Sequence, residues 1–375
     1  MKLSKIALQG VISARGLPLT TLATRAGVAS TDLRRAVEID GELGDEDVAA
    51  IAAQLAVPVE AFFGDRIPPL LAAIDFRTAT PHISRFKKGT LEAIAYVERI
   101  SGALASLSLG SELDPSLALI NTHYTDEEAI ELAKKWRKRW GLSLEDQLDA
   151  ANANTIYVSL RGFIENLGVL VLHRSFGTDE AAGIYAHVPG GPHTIVINTT
   201  SSSKARKLFT LAHEFCHVLL RAEGTSNPSI LKNKVERFCN KFAAYLLAPD
   251  RLINDAIKRF KYPASTAHDN IRRFAKRLGI SQEALVRRLV EIGYVTSADY
   301  TNWRSKFNGV VPPGDTTDGQ SGGQSDPLQT KRTTYGTRFI SLLSQARERG
   351  LLDDLDIYRL CGLKRKYQDE LFEVV

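Results

Sequence analysis

Apolar positions along the chain recur mostly at helical spacing, and the elements they predict come in blocks. Leu19 to Ala26 reads as a short helix, Gly27-Val28 as a tight turn, and Ser30 as the N-cap of a second helix, TDLRRAVEI. A third helix, DEDVAAIAAQLA, opens with acidic residues that suit its positive end. A long apolar helical stretch spans about 84 to 109. Thr125, with Glu128 three residues on, makes a capping box ahead of EEAIELAKKWRKRWG. Between 167 and 200 the pattern changes to that of strands: LGVLVLH, GIYAHV, a PGGP turn and HTIVIN. The helical period returns from Ser201 to Arg221 and again from about 231 to 247, where Pro249 stops it. Two short helices near 267–278 and 281–291 flank Gly279. From Asn308 to Thr330 five glycines and three prolines predict a flexible linker, and FISLLSQARERG and DDLDIYRLCG then regain a helical pattern.

The chain has 375 residues, 44% hydrophobic and 24% charged, which disfavours wholesale disorder and repeat architectures and leaves room for two or three domains. Three cysteines (Cys216, Cys239, Cys361) are too few for a disulfide framework and fit a reducing compartment. The N-terminal stretch has no clean apolar core, because Gln9, Ser13 and Arg15 interrupt it, and no run of about 18 uncharged apolar residues occurs. A cytoplasmic protein without membrane contact is the expectation.

The first block resembles the repressor-type helix-turn-helix of the XRE family, carried by Leu22, Ala23, Ala26, Gly27, Val28, Leu33 and Arg35. Ser30, Thr31, Arg34 and Arg35 stand at the exposed start of the reader helix, where arginine can meet guanine edges or phosphates. Residues 1–64 nevertheless carry six Lys/Arg against eight Asp/Glu, a handicap for a DNA binder that dimerisation would offset. The basic surplus lies in residues 251–310, twelve against five, and fits DNA, a partner or neither.

Chemistry concentrates in LFTLAHEFCHVLL. On a helix, four residues advance about 400° and about 6 Å, so His213 and His217 share a face at a spacing that grips one zinc ion. Glu214 lies about 100° around, placed to take a proton from water at the metal's open position and pass it to a leaving amine. Catalytic zinc needs a third protein ligand. The metzincin extension would require Gly at 220 and His at 223, where this chain has Leu220 and Glu223. Glu236, in VERFCNKFAAYLLAP, is the best candidate: Val235, Phe238, Phe242, Tyr245 and Leu246 form an apolar stripe that leaves Glu236 and Asn240 on an adjacent face.

Taken together, Ile195 to Asn198, Arg206, Phe209 to His217, Leu219, Leu220, Glu236, Phe242 to Ala244, Leu246, Leu247 and Pro249 resemble the ImmA/IrrE-type metallopeptidases over residues 120 to 255. The resemblance implies zinc on His213, His217 and Glu236, with Glu214 as general base. It also implies a helix-turn-helix fused ahead of a peptidase that cleaves a transcriptional repressor in mobile-element or stress regulation. Cys216 stands where the family usually has Gly, and at i+3 from His213 its thiol would close the open position if it ligated. Cys239 reads as a buried small hydrophobe. His173, Tyr185, His187 and His193 lie in or beside the strands and are candidates for stabilising an oxyanion. Ile195 to Asn198 reads as an edge strand able to pair with an extended substrate, so that proline at Val196 would abolish cleavage.

The fold class expected is mainly α with a small β-sheet (α+β). Its segments are a helix-turn-helix bundle (1–68), a helical connector (69–120), a zincin-like peptidase domain (121–255), a basic helical extension (256–307), the linker (308–333) and a C-terminal helical module (334–375). Two functions fit. One is a zinc endopeptidase acting on a DNA-binding repressor and brought to it by DNA or a partner. The other is a non-catalytic, antitoxin-like repressor with a structural or sensory zinc site and a toxin partner. Glu214 favours the first, since a structural site has no need of a carboxylate beside the metal's open position.

Overall fold

The computed structural model describes residues 1–64, 86–117, 122–150, 152–177, 181–200, 203–222, 233–262, 267–307 and 326–373, with the strand segments 74–75, 82–83 and 224–226. The architecture is mainly helical around a small sheet, as the patterning predicts. Most of the linker, residues 308–325, lies outside the described residues, as does Pro68-Pro69.

The N-terminal block comprises α1 (Lys5–Arg15), α2 (Leu19–Ala26), α3 (Ser30–Arg35), a π-helical turn over Ala36–Asp40, and α4 (Asp45–Leu55). Gly27, at φ 71°, makes the turn between α2 and α3. Ser30 is not the N-cap. Ala29 holds the extended backbone that precedes the helix, Ser30 is the first helical residue, and no side chain caps the end. Next come α5 (Lys88–Ser106), α6 (Asp126–Trp140), α7 (Leu144–Ala150) and α8 (Ala153–Asn166). The Thr125–Glu128 capping box is formed at the start of α6.

The sheet is built from β1 (Ile74–Asp75), β2 (His82–Ile83), β3 (Leu170–Arg174), β4 (Gly183–His187), β5 (His193–Asn198) and β6 (Gly224–Ser226), in the order β2-β1-β6-β4-β5-β3. β5, expected at an edge, is interior: it pairs in parallel with β3 over five residues and antiparallel with β4 over five. Its backbone groups are consumed on both sides, so it cannot take up a substrate strand, and Val196→Pro would break the sheet itself. All six of its residues are buried, because helices cover both faces of the sheet.

After the strands follow α9 (Lys204–Leu220), α10 (Lys234–Leu247), α11 (Asp250–Phe260), α12 (His268–Leu278), α13 (Gln282–Ile292) and α14 (Ser297–Ser305). The chain ends in α15 (Pro327–Tyr335), α16 (Thr337–Glu348), α17 (Asp354–Cys361) and α18 (Arg365–Phe372), so the last part of the expected linker is helix. Within the basic stretch, Arg288 is buried and holds structure: it donates to the Ala248 carbonyl and pairs with Asp250 and Glu291.

Alternate residues of the strands enter two cores. Leu170, Leu172, Ile184, Ala186 and Val196 join one with the N-terminal helices, α5 and the C-terminal helices; Val171, Tyr185, Ile195 and Ile197 join the other with α8, α9 and α10. Polar clamps fix these layers. Arg15 is fully buried, grips Glu98 of α5 through two hydrogen bonds of 2.7 and 2.6 Å, and donates to the Leu55 carbonyl at 2.9 Å. Arg161 of α8 pairs with Glu165 at 2.9 Å and donates to the carbonyls of Val171 and Thr333, while Glu165 accepts from the Thr337 backbone at 3.0 Å. Burial pushes the Glu165 carboxyl up and Arg161 pulls it back. Replacing Arg161 with methionine leaves that carboxyl buried without its cation, and we expect a loss of about 3–5 kcal/mol in urea unfolding. A loss below about 1 kcal/mol would show that the clamp contributes nothing beyond an ordinary surface pair.

Candidate metal centre

α9 is a well-bounded helix. The Ser203 hydroxyl caps its start by accepting from the Arg206 backbone, and Arg221 ends it in the left-handed region at φ 51°. From Leu208 to Leu220 almost every residue is buried, because the sheet lies on one side and α8 and α10 on the others. His213 and His217 therefore sit in the interior, 0% and 1% exposed, with ring nitrogens Nε2 3.1 Å apart.

Each imidazole is held by its other nitrogen. His213 Nδ1–H donates to Asn240 Oδ1 at 3.1 Å, and His217 Nδ1–H donates to the Ala222 carbonyl at 3.1 Å. That hydrogen bonding assigns the tautomer and leaves both Nε2 lone pairs facing a common point, the outer-sphere arrangement characteristic of ligating histidines. α10, whose start is capped by the Asn233 side chain, brings Glu236 to the same point: its carboxylate oxygens lie 3.5 Å from His213 Nε2 and 3.2 Å from His217 Nε2. Glu236 is fully buried and neither oxygen has a hydrogen-bond partner.

With each Nδ1 donating, two Nε2 atoms and a carboxylate face one another, an arrangement that is costly in a dry interior unless a proton or a metal cation lies between. Two nitrogens on one tetrahedral zinc would stand about 3.3 Å apart, close to the separation present. The residues thus fit a divalent metal, and one further donor lies within range. One ring nitrogen from each of His213 and His217 and the thiol of Cys239 all fall within 4.8 Å of one another. Cys239 is buried as expected, yet it packs among candidate ligands as well as apolar neighbours; Cys216 lies against it.

Glu214 is fully buried and backs onto β4. A Cβ at Gly183 would come within 2.4 Å of its carboxylate oxygen and 2.8 Å of its Cγ and Cδ, so the glycine makes the space that this side chain occupies. The four strand candidates bond or stack with one another and with Tyr157. The His173 ring bonds the Tyr157 hydroxyl at 2.5 Å, the Tyr185 hydroxyl bonds His193 Nδ1 at 2.6 Å, and the His187 and His193 rings stack at 4.0 Å. Away from this centre, Ser30, Thr31, Arg34 and Arg35 are all exposed on α3 while Leu33 anchors the helix beneath them.

Asn240 follows Glu236 at the i+4 spacing that puts the two on one face of α10, and its hold on His213 shows only once α9 and α10 are packed together. Gly183 carries no such spacing signal, since its use depends on a strand and a helix meeting.

A helix bearing HExxH with a carboxylate from the next helix is an arrangement found in zinc metallopeptidases. Residues 164–290, about a third of the chain, match the family model of the peptidase M78 family, the IrrE N-terminal-like domain, which spans all of these residues and supports an ImmA/IrrE-type metallopeptidase domain. Comparison with curated proteins returns no significant match. No helix among the described residues is long and apolar enough to cross a membrane.

Gly183→Ala is expected to push the Glu214 carboxylate off its position while leaving His213, His217 and Glu236 in place. The purified variant should keep its metal content and lose peptidase activity by a factor of about 10² or more, within the range ascribed to general-base catalysis. Unchanged activity at equal metal loading would show that Glu214 does not need this seat.

Proposed function

We propose that the chain is a zinc-dependent endopeptidase that cleaves a DNA-binding transcriptional regulator, and that its N-terminal helices bring it to DNA or to that partner. The observation that carries this reading is the convergence of two tautomer-fixed histidines on a buried carboxylate without hydrogen-bond donors, with Glu214 one residue along the same helix. When bound, zinc would supply Lewis-acid polarisation of water and of the scissile carbonyl. His213, His217 and Glu236 would hold it, with Asn240 and the Ala222 carbonyl orienting the two rings. Glu214 would take the proton from the attacking water and return it to the leaving amine.

Metal analysis and peptide hydrolysis separate these roles. Glu214→Gln should keep about one zinc per chain, as in the unaltered protein, and lose hydrolysis by a factor of about 10² or more; Glu236→Ala should lose most of its zinc. Zinc retained in full by Glu236→Ala, or hydrolysis retained by Glu214→Gln, would overturn the assignment.

The helix-turn-helix reading is supported by the exposed row Ser30, Thr31, Arg34 and Arg35 on a helix seated by Leu33. If this row meets DNA, Arg34→Ala should weaken binding to duplex fragments by about tenfold and lower the salt dependence by about one counterion. Binding and salt slope equal to those of the unaltered protein would assign the module to protein contacts.

A further inference from the structure

The peptidase reading requires one coordination position to be open, yet the interior around His213 and His217 holds more donors than three. α10 presents Glu236, Cys239 and Asn240 at i, i+3 and i+4, the spacing that puts all three on one side of a helix. Asn240 and Glu236 on that side are already engaged with the histidines of α9. Cys239 shares the placement, and its sulfur joins the two rings in a cluster within 4.8 Å. His213, Glu214, His217, Glu236 and Cys239 are each 0–1% exposed.

We propose that Cys239 is a metal ligand in the resting chain, completing a closed His213–His217–Glu236–Cys239 site. The inference rests on the metal reading above and adds a regulatory state to it. Four protein donors are what structural zinc sites use, whereas hydrolytic sites leave one position for water. Coordination would cost the thiol its proton, released to solvent, and would make the sulfur a fourth protein donor where a hydrolytic site has three. Hydrolysis then requires that sulfur to withdraw and be reprotonated. A peptidase aimed at its own cell's regulators is thereby silent until α10 or its surroundings shift. Cys216 is not part of the clustered donors and serves as an internal control; Cys361, the remaining cysteine, lies in the other core on α17.

Cobalt(II) loaded into the full-length chain in place of zinc tests this directly, because the visible d–d bands report that the metal is bound and a near-ultraviolet sulfur-to-cobalt charge-transfer band reports a thiolate ligand. The proposal expects both sets of bands in the unaltered protein and in Cys216→Ala, and loss of the charge-transfer band alone in Cys239→Ala. Chelator competition gives a second readout, with zinc released at least tenfold more readily from Cys239→Ala than from Cys216→Ala. Because Cys216→Ala alone can assign the sulfur, the test survives a poorly folding Cys239 variant. Tetrahedral d–d bands without charge transfer would overturn the proposal and leave the metal reading standing. Charge transfer lost in Cys216→Ala and kept in Cys239→Ala would also overturn it, and no cobalt bound in any form would remove both.

Discussion

Burying a carboxylate costs several kcal/mol unless hydrogen bonds or a positive charge compensate it. Glu236 sits in the middle of the molecule with both oxygens lacking hydrogen-bond partners and two imidazole nitrogens beside it. Much of the surrounding architecture can be understood as holding these groups against one another. α9 is buried along most of its length between the sheet and its helical neighbours, so its histidines cannot turn outward to water. Their second nitrogens are tied to Asn240 and to the Ala222 carbonyl. The second tie depends on the chain leaving α9 through the left-handed Arg221, which brings the Ala222 carbonyl back toward the last turn.

The local pattern of the chain was largely readable. Most helices and the three longer strands lie where apolar spacing, capping residues and Pro249 put them, because these signals act within a few residues. The pairing of α9 with α10 was readable too, since an apolar stripe leaves Glu236 one side on which to emerge. What escaped were facts that depend on distant segments meeting. An all-apolar strand such as IVIN looks the same at an edge or in the interior, and only the arrival of β3 on its far side decides the matter. The space that Gly183 leaves for Glu214 is another such fact. Cys239 has the size and setting of a core residue, and its chemistry became visible only when His213 and His217 were placed beside it.

The C-terminal helices illustrate the same limit. Their amphipathic pattern predicts that they bury one face, but not where. They pack on the sheet face opposite α9 and α10, held by Arg161 and Glu165, by Arg99 donating to the Leu360 carbonyl at 2.9 Å, and by the Tyr335 hydroxyl donating to the Cys361 carbonyl at 2.9 Å. Gly336, at φ 75°, lies so close to Glu165 and Arg161 that a Cβ would collide with both, which fixes the α15–α16 junction against the clamp.

This layering constrains how the two ends of the molecule can communicate. The N-terminal helices and the C-terminal helices share one core, the candidate metal centre belongs to the other, and the strands between them contribute alternate residues to each. β4 is one of the strands that joins the two cores. Ile184 and Ala186 pack toward α5, whose Glu98 grips Arg15 of α1, while Gly183 abuts Glu214 and Tyr185 enters the core around α9. Ile184 therefore packs in one core while its neighbour Gly183 seats Glu214 in the other.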